Sequence, residues 1–77
     1  MKELLELIAK SLVDQTEMVS VNEIKGEQTT ILELKVAAED MGKVIGKQGR
    51  IAKSIRTVVK AAAMHKNQRV TVEIIQA

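Results

Sequence analysis

The 77-residue chain is 45% apolar and 29% charged, with a formal net charge of +2 at pH 7 and no phenylalanine, tyrosine, tryptophan, proline or cysteine. That length supports one small domain over residues 1–77, folded throughout around a core of Ile, Val, Leu, Met and Ala. The missing residue types exclude aromatic stacking platforms, proline-rich recognition segments, disulfides, thiol nucleophiles and cysteine-ligated zinc, and no apolar run approaches the ~20 residues that span a bilayer, so a soluble, cytoplasmic protein without membrane attachment is expected.

Taken in chain order, Leu4, Leu5, Ile8 and Leu12 recur at helical spacing, with Leu7 widening the stripe. They predict an amphipathic helix over Lys2–Val13 that needs a sheet to cover. Met18–Lys25 carries Val19, Val21 and Ile24; the switch from odd to even positions spoils strict alternation, and a bulge or a sheet-edge position would account for it. Lys25–Gln28 supplies a turn. After it, Thr30, Leu32, Leu34 and Val36 form one face of a second strand, with Thr29, Ile31, Glu33 and Lys35 on the other, and the two strands read as a hairpin.

Glu39–Ile45 predicts a short helix starting near Ala38–Asp40, where acidic side chains suit the positive end of the helix dipole. Gly46–Gly49 interrupts it, a longer helix runs from about Arg50 to Met64, and Asn67 and Gln68 lie in the turn before a last strand, Arg69–Ile75, with Val70, Val72 and Ile74 on one face. A two-helix connection of that length favours a right-handed crossover between parallel strands. The expected fold is a two-layer α/β (α+β) domain in the order helix-strand-strand-helix-helix-strand, with a three-stranded mixed sheet and three helices on one face.

On a helical wheel of Arg50–Met64, Ile51, Ile55, Val58 and Ala62 group in one stripe with Val59 beside it, which predicts the core face. Lys53, Arg56 and Lys60 fall on the opposite side, with Arg50 at the edge near the glycine loop. A basic helix face is often only a solvated one. Here the cations run from Lys43 through Lys47, Arg50, Lys53 and Arg56 to Lys60 with no acidic residue between them, while every Asp and Glu lies outside that stretch. A nearly neutral chain can therefore carry a patch of one sign, as phosphate contacts require.

Glycine at both ends of Gly46-Lys47-Gln48-Gly49 allows positive φ and leaves no Cβ to keep a ligand from the backbone. The N–H groups around Gly49–Ile51 open the second helix and are expected to face outward as donors to an anion, with Lys47 and Arg50 adding charge. Spacing alone is equally consistent with a tight turn between helices. The loop is neither a Walker loop, which closes on Lys-Ser/Thr, nor a dinucleotide fingerprint, which follows a strand directly.

Within this element order, Val44-Ile45-Gly46-Lys47-Gln48-Gly49-Arg50-Ile51 resembles the KH domain of type II, the bacterial kind with an extra N-terminal helix and strand. The run from Asp40 to Arg50, followed by Ala52 and Arg56-Thr57, resembles small bacterial members that consist of one such domain. The resemblance implies that Gly46-Lys47-Gln48-Gly49 clamps the sugar-phosphate backbone of about four nucleotides of single-stranded RNA, or of single-stranded DNA. It also implies an apolar base groove at or near Gly42, Ile45, Ala52 and Val70. Ile45 could equally be core, and Gly42 and Ala52 could be small only to let helices pack.

Relatives usually carry proline where this chain has Ala38, which still permits a helix start. The resemblance further implies weak affinity for one domain, offset by homodimerisation or by pairing with a larger KH-containing protein. It links the chain to RNA chaperone activity or post-transcriptional regulation of cell shape and cell-wall growth. The Ala61-Ala62-Ala63-Met64 helix end could form the dimer surface, or serve only as good helix formers.

No enzyme, cofactor or metal site is expected. His65, the lone histidine, sits near a helix end where imidazole commonly meets carbonyls or solvent. Glu39 and Asp40 are explained by the helix dipole, Ser54 has no histidine partner, and the methionines are scattered. Two functions remain open: a non-catalytic RNA-binding module, and a protein-interaction or assembly subunit that uses the fold as a scaffold.

Overall fold

In the computed structural model, which describes residues 1–77, the alternation in the second strand becomes the middle of the sheet: Leu32, Leu34 and Val36 are fully buried. They lie on β2 (Thr30–Val36), which pairs antiparallel with β1 (Ser20–Lys25) and parallel with β3 (Val70–Gln76), in the order β1-β2-β3. The parallel pair is joined through α2 (Met41–Ile45) and α3 (Arg50–His65), while α1 (Lys2–Leu12) precedes the sheet. The fold is the expected α+β type II KH-like arrangement.

Register assigns the two sheet faces. Val21 lies opposite Leu34, and Leu32 opposite Val72, so these side chains share one face. Leu5 and Ala9 of α1, Val44 of α2 and Ile55, Val59 and Ala63 of α3 close one core with them. The other face carries Asn22, Ile24 and Lys35, which are exposed, together with Ile31 and Glu33.

The odd-to-even switch in the first strand comes from its edge position, since β1 pairs with β2 from Ser20 to Lys25 without a bulge. Val19 precedes the strand, and Ile24 simply points to the open face, where it is 44% exposed. Thr16–Met18 is a 3₁₀ turn, so the strand starts later than Met18.

The long helix needs a larger correction. Its buried residues are Ala52, Ile55, Val59 and Ala63, whereas Val58 is 50% exposed and Ile51 and Ala62 are half-buried. The sheet-facing line is turned by about 75° from the expected stripe at ~100° per residue. Small Ala52 and Ala63 let the helix lie close to the sheet, while Ile51 and Val58 turn toward α1. The alanine-rich end wraps around the helix accordingly: Ala63 is buried, Ala62 half-buried and Ala61 and Met64 exposed, so it forms no single flat surface.

Candidate nucleic-acid interface

α2 ends at Gly46, whose φ of 75° and ψ of 175° belong to a region that glycine alone adopts without strain. A Cβ there would meet Ile51 Cγ1 at 2.5 Å. Gly46 is therefore required twice, by its backbone and by the Ile51 side chain folded over it. Gln48 (φ 57°) and Gly49 (φ 73°) then take left-handed conformations in succession and turn the chain into α3. The missing Cβ of Gly49 faces open space.

Not every donor of this turn is free, contrary to expectation. The Gly49 N–H donates to Gly46 O at 3.1 Å and the Arg50 N–H to Lys47 O, which closes the loop on itself. What the loop offers outward is the exposed side chains of Lys47 and Gln48 and the bare Cα of Gly49.

The cations divide by direction. At ~100° per residue, Lys53, Arg56 and Lys60 share the α3 flank that faces β3, whereas Arg50 points away from the core. Arg50 donates through Nη2 to Gln48 Oε1 at 3.4 Å and borders an apolar cleft with Ile8, Leu12, Ile51 and Val58. The cationic stripe thus runs from Lys47 to Lys53, Arg56 and Lys60, with Arg50 to one side. None of these five residues makes an ion pair, both of which involve Lys43.

Lys43 is separated from this set. Its Nζ donates to Asp14 and, at 3.3 Å, to Asp40 Oδ1. Asp40 is 1% exposed and also accepts the backbone N–H groups of Gln15 at 3.0 Å and Asp14 at 3.3 Å. The Gln15 N–H bond is the chief cause holding the Asp40 carboxyl below its ordinary pKa, and the Asp14 carboxylate is the chief cause raising that of Lys43. Gln15 Nε2 donates to Glu39 Oε2 at 2.8 Å and lowers that carboxyl too. Together these contacts strap the segment after α1 to the start of α2.

Of the four groove residues inferred from the resemblance, Gly42 is exposed, with no heavy atom within 4 Å of where its Cβ would lie, and Ile45 is half-buried against the core. Ala52 and Val70 are 4% and 6% exposed and serve mainly as core.

Sequence reasoning missed the far end of the stripe. Lys60, Arg69 and Val70 line an open cleft of about 440 Å³ with Thr29 and Thr71, and an adjoining polar cleft reaches Lys25 and Asn67. The register of the parallel pair, which sets Arg69 beside the hairpin turn, where its carbonyl accepts the Thr30 N–H at 2.9 Å, leaves no local signal in sequence.

A family model described as "KhpA/KhpB, KH domain" matches residues 2–74. Proteins named "RNA-binding protein KhpA" from Clostridium perfringens and Clostridium acetobutylicum are each 73% identical over 97% of this chain and 100% of theirs. One of the same name from Aquifex aeolicus is 47% identical over 99% of this chain and 96% of its own. Among solved structures, a GDP·AlF4-bound variant of Aquifex aeolicus Era aligns with a TM-score of 0.63 at 18% identity, covering 97% of this chain and 29% of that one, a likeness of fold. With the glycine loop, the mixed sheet and the full-length matches in agreement, the chain belongs to the KhpA/KhpB family of KH domains.

Proposed function

We propose that this protein is a non-catalytic RNA-binding protein that holds the sugar-phosphate backbone of a short single-stranded segment against Gly46-Lys47-Gln48-Gly49. The bases lie along the α3–β3 flank, over Gly42 and Ile45 at one end and toward Arg69 at the other. The observation that carries this reading is the run of unpaired cations Lys47, Lys53, Arg56 and Lys60 leading from a loop whose tip is bare of Cβ. The name "RNA-binding protein" borne by full-length relatives supports the choice of ligand. Single-stranded DNA fits the same phosphate contacts. Weak, unstacked binding of this kind suits an RNA chaperone or post-transcriptional regulator working in the cytoplasm, and no helix is long and apolar enough to cross a membrane.

Fluorescence anisotropy with short single-stranded RNA tests the clamp. The double substitution Lys47→Asp and Gln48→Asp should abolish binding and leave the far-UV circular dichroism unchanged. Full binding by that variant would remove the loop from the interface.

A separate surface favours self-association. Val58 is 50% and Leu12 37% exposed on the α1–α3 flank, around a cleft of about 410 Å³ floored by Ile51 and Ile55. This flank looks away from the cationic stripe, so a second copy seated there leaves both RNA surfaces free and adds their affinities through effective concentration. Sedimentation of the wild-type chain and of Val58→Asp should show a dimer only in the former. Monomers in both would favour the heteromer with a larger KH-containing protein, and protein capture without RNA affinity would favour the scaffold role.

A further inference from the structure

Arg56 is set apart from the lysines beside it. Its Nε donates to the backbone carbonyl of Val72 at 3.2 Å. Lys53 and Lys60, one helical turn to either side, are point charges with no hydrogen bond to the protein. Arg56 has no carboxylate partner, and its residue surface is exposed.

The acceptor belongs to a free sheet edge. β3 is paired on one side only, and the Arg69 carbonyl turns inward to the Thr30 N–H. Alternation then turns the N–H and C=O groups of Val70, Val72 and Ile74 outward. Arg56 reaches across to this edge, so its guanidinium lies at the boundary between helix and strand rather than in open solvent.

A guanidinium carries its donors in one rigid plane. With Nε committed to Val72 O, the remaining free edge is the end-on pair of Nη1 and Nη2. Two parallel N–H donors of that spacing fit two neighbouring acceptors, the geometry by which arginine contacts O6 and N7 of guanine. Cytosine offers a second such pair in O2 and N3. Uracil separates its two carbonyl oxygens by an N–H, and adenine places an amino group between N1 and N7, so neither presents adjacent acceptors.

We infer that Arg56 is a specificity-determining residue that reads one base of the bound strand, selecting cytosine or guanine over uracil and adenine, while Lys47, Lys53 and Lys60 hold phosphates. The assignment rests on the RNA-binding reading above and adds a base preference to it. The Val72 bond fixes the guanidinium plane, so specificity depends on geometry and not on charge.

The test uses the full chain and uridine pentamers whose central base is uracil, cytosine, guanine or adenine, with affinities measured by anisotropy at low salt. Wild-type protein should favour the cytosine and guanine pentamers by about tenfold, the discrimination one bidentate contact supplies. Arg56→Lys keeps the charge but not the paired donors, so the ratio of cytosine or guanine affinity to uracil affinity should fall from about tenfold to about one while the far-UV circular dichroism stays that of the wild type. Lys53→Gln should weaken all four pentamers alike. Equal binding of the four by the wild type, or a preference that survives in Arg56→Lys, overturns the assignment and leaves RNA binding intact. No binding of any pentamer overturns the RNA-binding reading and the assignment together.

Discussion

The Ile51 side chain folds over Gly46, so that a β-carbon on the glycine would sit 2.5 Å from Cγ1 and 2.9 Å from Cβ of the isoleucine. The first residue of the loop is thus locked to the first turn of α3, and the loop is held as part of the core's rim. Gly46→Ala must relieve this overlap and also hold alanine in a glycine-only region, which should cost about 3 kcal/mol or more. Gly49→Ala meets no neighbour and carries only the left-handed penalty, about 1–2 kcal/mol. Urea unfolding of the two variants should show that order, and any RNA affinity lost by Gly49→Ala beyond its unfolded fraction marks contact with the ligand.

Gly42 separates stability from binding. It lies inside α2 with open space where a Cβ would be. Gly42→Ala should leave stability unchanged or raise it by up to about 1 kcal/mol, because alanine favours the helix. If bases pass over this position, Gly42→Leu should remain folded and lose about tenfold in RNA affinity, a difference of ~1.4 kcal/mol. Unaltered binding by the leucine variant would move the groove away from α2.

The hairpin, the two-helix crossover and the glycine loop were legible because each has a local signature: alternation through Leu32, Leu34 and Val36, a connection too long for a hairpin, and glycine at both ends of a four-residue loop. The burial of α3 was less so. Large aliphatic residues pointed to Ile51 and Val58, but the helix meets both sheet and α1, and close approach to the sheet selects Ala52 and Ala63. The division among the cations was illegible for another reason. Asp14 lies 29 residues before Lys43, and Arg56 is 16 residues from the carbonyl it meets. A linear count of charges cannot distinguish a paired lysine from a free one.

Asp40 predicts an asymmetric pH response. Its carboxyl is held below the ordinary value, first by the Gln15 N–H and then by the Asp14 N–H and Lys43, against the opposing effect of burial. A depressed folded-state pKa stabilises the protein above the unfolded value of about 3.9, and the contribution disappears as pH falls through the lower folded value. Lys43 is raised, chiefly by Asp14, so its contribution is complete below about 10.4 and disappears as pH rises through the higher folded value. Thermal melts of wild type and Asp40→Asn should differ most in the neutral range, with the gap narrowing below about pH 4 as the wild-type carboxylate is protonated. A gap that stayed constant into acid would assign the difference to hydrogen-bond geometry alone.

The separation of Lys43 from the other cations makes the salt dependence of RNA binding diagnostic. Each phosphate neutralised by a free cation contributes about 0.7 to the slope of log affinity against log salt for a single strand. Lys47, Lys53 and Lys60 have no ion pair to break. Changing any one of them to glutamine should lower the slope by that amount, and the three together should lower it by roughly 2. Lys43 is already neutralised by Asp14 and the buried Asp40, so Lys43→Gln should leave the slope unchanged while lowering the thermal midpoint, because Asp40 loses a partner. The opposite pattern, a reduced slope with unchanged stability, would mean that the strap between α1 and α2 opens when RNA binds and gives Lys43 to a phosphate.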